Sequence, residues 1–137
     1  MIDIDVAIRL RDAGLRWEPR DGDHFTIDAE LLRDDVFMLA NMVVEAGVDR
    51  HGGNVFRFNG TTEWALDSIQ QEEAIWIPRE DQLRDALGEQ FVALRREEDD
   101  AFVVEVRPGG GKKRDVRAPR AEDAYAGALL VHLTEAA

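Results

Sequence analysis

Apolar residues recur at helical spacing from Ile4 to Ala13, where Val6, Ala7, Leu10 and Ala13 share one face. Asp3 is placed to cap this helix, with Gly14 and Leu15 to close it through a left-handed residue and an apolar contact. Trp17-Glu18-Pro19 must be extended at Glu18, because the proline ring disfavours helical backbone in the residue before it. Asp21-Gly22-Asp23 reads as a tight turn into His24 to Ile27, a strand with Phe25 and Ile27 on one face. Val36 to Val44 is uncharged throughout, so its period does not separate strand from helix; the paired Val43-Val44 favours a strand. Gly52-Gly53-Asn54 then supplies a turn, and Val55 to Phe58 a partner strand. Beyond Asn59-Gly60, Thr61 or Thr62 caps a predicted helix with Glu63 in its first turn and Ala65, Leu66 and Ile69 inward.

The second half repeats this order. Trp76-Ile77-Pro78 is extended, and Pro78 leads into a helix from Arg79 to Leu87 with Leu83, Ala86 and Leu87 on its apolar face and Gly88 at its end. Phe91, Ala93 and Arg95 alternate along one strand, Asp99-Asp100 turns the chain, and Phe102, Val104 and Val106 return. Pro108-Gly109-Gly110-Gly111 forms a loop, Arg114 to Ala118 a third strand, and a final helix begins near Ala121. A shift of 59 residues places Trp17, Pro19 and Arg20 on Trp76, Pro78 and Arg79, and Glu63 and Ala65 on Glu122 and Ala124. The expected fold class is α+β: two tandem, repeated α-β-β-β-α halves, 1–73 and 74–137, with antiparallel sheets packed by helices into one compact unit.

Charge narrows the functional classes. The chain's 137 residues carry 29 acidic and 17 basic side chains, a net charge of −12. Such a surface keeps a protein soluble and repels polyanions, so nucleic acid and anionic membranes are disfavoured as partners. An apolar share of 45% argues for a folded core. The absence of cysteine excludes disulfides, thiolate metal sites and a cysteine nucleophile. Met1-Ile2-Asp3-Ile4-Asp5 is acidic where a secretion signal is basic, and no apolar run has membrane length, so the expected location is cytoplasmic.

Candidate chemistry is sparse. His24, His51 and His132 share no ligand spacing, and Asp21-Gly22-Asp23 lacks the length of a calcium loop, so no metal is expected. Pro108-Gly109-Gly110-Gly111-Lys112-Lys113 resembles a phosphate loop only in its glycines, since Lys113 stands where a magnesium-binding hydroxyl belongs; no nucleotide or other cofactor is expected. Ser68, the only serine, lies outside any nucleophile elbow. Lys112, Lys113, Arg114, Arg117 and Arg120 form the one basic concentration and are the candidate anion-binding residues; a solvated hairpin in an acidic protein explains them more simply. Trp64 and Trp76, with Arg79 and Arg84 on the helix after Pro78, are the candidate partner-binding residues, since tryptophan and arginine are frequent interface anchors. The competing account places the tryptophans in the joint between two half-cores.

Two motifs carry a family resemblance: Phe58-Asn59-Gly60-Thr61-Thr62-Glu63-Trp64-Ala65-Leu66-Asp67-Ser68 and Trp76-Ile77-Pro78-Arg79-Glu80-Asp81-Gln82-Leu83. From about Leu15 to Leu133 the chain resembles a family of short, mostly actinobacterial proteins of unknown activity, many of which carry a pilus-assembly label. The resemblance implies a bacterial source and transfers no catalytic residue. Three functional readings therefore stand: a small acidic, non-enzymatic binding or scaffold protein with a protein partner; an enzyme using carboxylate acid–base chemistry; and a nucleic-acid or phosphate binder using Lys112 to Arg120.

Overall fold

Helix α1 (Ile4–Asp12) starts at Asp3 and buries Ala7 and Leu10. The Asp3 carboxylate makes no cap; its carbonyl instead accepts the Ala7 N–H at 3.0 Å. The helix closes as the sequence predicts. Leu15 N–H donates to the Leu10 carbonyl and Gly14 N–H to that of Arg11, both at 3.0 Å, with Gly14 at φ +109°. This is the paired bonding of a Schellman end, which needs a residue tolerant of positive φ.

The structure, a computed structural model, describes residues 1–28, 35–39, 44–48, 54–58, 68–70 and 73–136. The fold is α+β: after α1 come β1 (His24–Ile27), β2 (Phe37–Met38), β3 (Val44–Val48), β4 (Asn54–Phe58), β5 (Ser68–Gln70) and β6 (Ala74–Ile77). These are followed by α2 (Glu80–Leu87), β7 (Phe91–Arg96), β8 (Phe102–Val106), β9 (Arg114–Ala118) and α3 (Ala121–Ala136). The described strands form three antiparallel three-stranded sheets, ordered β2-β1-β6, β3-β4-β5 and β7-β8-β9.

The chain divides into two compact units, one of Met1–Arg16 with Pro78–Ala137 and the other of Trp17–Ile77. This division differs from the 1–73 and 74–137 halves. Helix α1 belongs with the C-terminal elements because it packs on α3.

In the discontinuous unit, β7, β8 and β9 lie beneath α3, which packs on β8, β9, α1 and α2. Its core includes Leu10, Leu83, Leu87, Val104, Val106 and Leu129, all buried. The α2–β7–β8–β9–α3 series matches the order read from sequence, and β8 and β9 match residue for residue. Close approach of α3 to the sheet is set at Gly127, where a Cβ would stand 2.8 Å from Val116 Cγ1.

In the second unit, β1 is central, with Phe25 opposite Phe37 on one side and Trp76 on the other. Phe25, Thr26 and Ile27 are buried in succession, so this strand is covered on both faces. Thr26 satisfies its hydroxyl by donating to the Asp35 carbonyl at 2.7 Å.

Two sequence expectations change here. Val36 to Val44 is not one strand: Phe37–Met38 joins β1, Val44 opens β3, and residues 40–43 lie outside the described residues. Ile69, predicted on a helix, lies in β5 opposite Phe56, a β-branched residue in a ladder position. The rest of that predicted helix, with Thr61, Thr62 and Trp64, and the Gly52-Gly53 turn lie outside the described residues.

The repeat finds no support in the strand pattern. Trp17 precedes the strands, whereas Trp76 lies within β6, and both belong to one unit. The residues before Pro78 contribute to two sheets, against one sheet after it.

Candidate partner-binding surface

Aromatic packing organises the Trp17–Ile77 unit. The Trp17 and Trp76 rings are parallel within 6°, their centroids 6.2 Å apart, and Trp17 also meets Phe25 at 5.7 Å. Phe25 in turn meets Phe37 at 5.7 Å. Ile27, Leu39 and Ala74 complete this cluster. The extended Trp17-Glu18-Pro19 and the β-ladder at Trp76 are what bring the two indoles face to face.

Asp23 fixes one of them. It is 1% exposed, and its Oδ2 accepts the Trp17 indole N–H at 2.9 Å and the Arg20 backbone N–H at 3.0 Å. Its own backbone ties the turn to β2's neighbour: Leu39 N–H donates to the Asp23 carbonyl at 2.8 Å, and Gly22 N–H to that of Leu39 at 2.7 Å. The sequence marks Asp23 as a turn residue, but nothing in it points to the indole six positions earlier. Asp23→Ala is expected to destabilise the protein by about 1–3 kcal/mol, because two donors lose a buried acceptor. Asp23→Asn, which keeps an acceptor oxygen, should cost less. Urea unfolding followed by near-ultraviolet circular dichroism measures both.

Two buried polar atoms in this unit have no partner among the described residues, Trp76 Nε1 and His24 Nδ1. They do not form one site: His24 stands opposite Ile77, the ladder position next to Trp76, and successive side chains point to opposite faces.

Val36, just before the edge strand β2, and Met38 within it flank Phe37. Phe37 turns towards the aromatic cluster, whereas Val36 is 41% and Met38 53% exposed. Among the described residues no strand pairs with the outer side of β2.

The other partner-binding candidates belong to the discontinuous unit, except Trp64, which lies outside the described residues. Arg79 is the residue before α2. Its N–H donates to the Gln82 side-chain oxygen at 3.0 Å, and its Nε to Asp81 at 3.3 Å. Arg84 is exposed on α2 beside the buried Tyr125 of α3. Burial pushes the Tyr125 hydroxyl above its ordinary range, and the Arg84 guanidinium pulls it partway back.

The structure spreads the five basic candidates along the loop before β9, along β9 and at the start of α3, and most face carboxylates. Lys113 meets Glu105 at 3.7 Å, Arg114 pairs with Glu135, Arg117 meets Asp99 at 2.6 Å, and Arg120 pairs with Glu122. Lys112 is exposed and makes no ion pair among the described residues. Arg95 of β7 lies on the face of the sheet that carries Glu105 and Asp115, donating to each at 3.0 Å. The Asp115 bond first, then Glu105, holds the Arg95 guanidinium above its ordinary value. Asp99, in the β7–β8 turn, is held below the ordinary carboxylate value by the Ala101 N–H first and by Arg117.

Two open clefts lie in the discontinuous unit. One of about 230 Å³ is lined by Glu80, Phe102, Arg120 and Glu122; the other, about 400 Å³, lies between α1 and α3 against Arg9, Asp12, Leu130 and Val131. Among the described residues no three His, Asp or Glu side chains converge as a metal site, and no helix is long and apolar enough to cross a membrane. No protein family, characterised protein or solved structure matches this chain.

Proposed function

We propose that this is a small, acidic, non-enzymatic binding or scaffold protein whose partner is another protein, met at the edge of β2. The observation that carries the reading is the exposure of Val36 and Met38 on that edge, beside an aromatic cluster that gives them a firm base. Open edge strands offer backbone hydrogen bonds to a further strand, and apolar side chains add contact area. Trp76 then acts from beneath, as part of that base. Kinship with the short actinobacterial proteins belongs to the same proposal, and their pilus-assembly label adds no residue to it.

The rival readings have less support. Lys113, Arg114, Arg117 and Arg120 spend their charge on neighbouring carboxylates, which leaves a weak platform for phosphate. Among the described residues Asp99 is held below the ordinary carboxylate value, opposite to the raised value that suits a general acid.

The test is affinity purification from the native host with wild type and with Val36→Lys combined with Met38→Lys. Recovery of the principal partner is expected to fall at least tenfold, with the near-ultraviolet spectrum of the tryptophans unchanged. Equal recovery removes β2 as the site. A loss seen instead with Arg79→Ala and Arg84→Ala combined moves the site to α2.

A further inference from the structure

We propose that His132 is a pH-responsive latch that holds the glycine-rich loop between β8 and β9 against α3. The Gly109 backbone N–H donates to His132 Nδ1 at 3.0 Å. A backbone N–H is only a donor, so this bond requires a lone pair on Nδ1 and therefore a neutral imidazole with its proton on Nε2. Protonation puts a second donor at Nδ1, facing the first. The bond is then lost, and two N–H groups are left opposed.

The loop is built to survive that loss as a turn, with Pro108 still buried. Gly110 N–H donates to the Arg107 carbonyl at 3.0 Å and Gly111 N–H to that of Pro108 at 3.1 Å, so the turn closes on itself. Arg107 N–H donates to the Gln90 carbonyl at 2.9 Å, which anchors the entry. Gly109 sits at φ 61°, ψ 16°, a left-handed conformation that turns its N–H out of the loop and towards α3. Among the described residues a further polar tie between this region and the end of α3 is the Arg114–Glu135 ion pair, at the first residue of β9.

The charged groups around the latch come from several elements. The loop supplies Arg107, Lys112 and Lys113, β9 supplies Arg114, and α3 itself supplies Glu135. Helix α1 brings Arg9 and Asp12 to the cleft beside Val131 and Thr134. Glu105 of β8 faces Lys113, and α2 presents Arg84 and Glu80 to Tyr125, two turns earlier on α3. Protonation therefore adds a positive charge on α3 at Gly109 and at the same step removes one polar tie of the loop, while Pro108 stays buried.

The experiment is nuclear magnetic resonance on the full chain, following the Gly109 amide and the His132 ring from pH 8 to pH 5. The Gly109 protection factor, corrected for intrinsic exchange, is expected to fall roughly three- to tenfold, the worth of one ordinary hydrogen bond. Its midpoint should coincide with the titration of the His132 ring. His132→Phe should show the low protection at every pH. His132→Gln, whose side-chain carbonyl accepts at every pH, should show no transition. A wild-type Gly109 amide that does not respond to pH overturns the latch, and so does a transition that persists in either variant.

Discussion

Phe25→Ala is expected to destabilise the protein by about 3–5 kcal/mol, the cost of a large cavity in a fully enclosed site. Phe25 has no exposed surface, occupies the central strand of its sheet, and contacts the rings of both Trp17 and Phe37. Nothing nearby is free to fill the space. Trp17 is tethered by Asp23 and stacked on Trp76, while Phe37 is held in register opposite Phe25. Phe25→Leu keeps most of the volume and should cost about 1–2 kcal/mol. Urea unfolding gives both values. The near-ultraviolet signal should weaken in the alanine variant before the transition begins, because the tryptophan stack loses its support. A loss below about 1 kcal/mol for Phe25→Ala would mean that the cluster is not the core of its unit.

Gly127→Val is expected to cost about 1–3 kcal/mol through overpacking. Helix propensity alone predicts a gain from removing a mid-helix glycine, of up to about 1 kcal/mol. The two effects have opposite sign, and geometry decides between them. A Cβ at this position would lie 2.8 Å from Val116 Cγ1, closer than van der Waals contact allows, and the stiff valine on β9 has no rotamer that swings far away. Relief requires α3 to move off the sheet. Val116→Ala in the same chain should therefore recover most of the loss, since it returns volume to the same gap. A Gly127→Val protein as stable as wild type would mean that α3 does not lie this close to β9.

Phe25 also marks where the candidate surface gets its rigidity. The exposed Val36 and Met38 sit on either side of Phe37, and Phe37 rests on Phe25. Their orientation depends on the same aromatic cluster. The basic stretch has a different logic. Its charges face the carboxylates of β8, the β7–β8 turn and α3, and exposed pairs of this kind are screened by solvent and contribute little to stability. Their arrangement neutralises an edge strand more than it stabilises the fold, which suits β9 as the outer strand of its sheet.

Local grammar was enough for most elements. Apolar periodicity with Gly14 and Leu15 defines α1, the alternation at Phe102, Val104 and Val106 defines β8, and Pro78 with Gly88 brackets α2. Each of these signals acts within a few residues, through backbone sterics and the period of side-chain exposure, so a single chain displays them. The sequence also supplied the α+β class, Trp76 and the five bases as named candidates. It did not supply the partners those residues choose. That Trp17 stacks on Trp76, that Asp23 holds Trp17, and that Arg114 and Arg117 face Glu135 and Asp99 depend on contacts across 6 to 59 positions of chain. The tertiary structure alone decided these, because long-range pairing is set by which faces are buried together. The same holds for α1, a well-formed helix by its own signals, whose place beside α3 is fixed by packing. It holds too for Ile69, whose β-ladder opposite Phe56 outweighs a helical reading that rested on spacing alone.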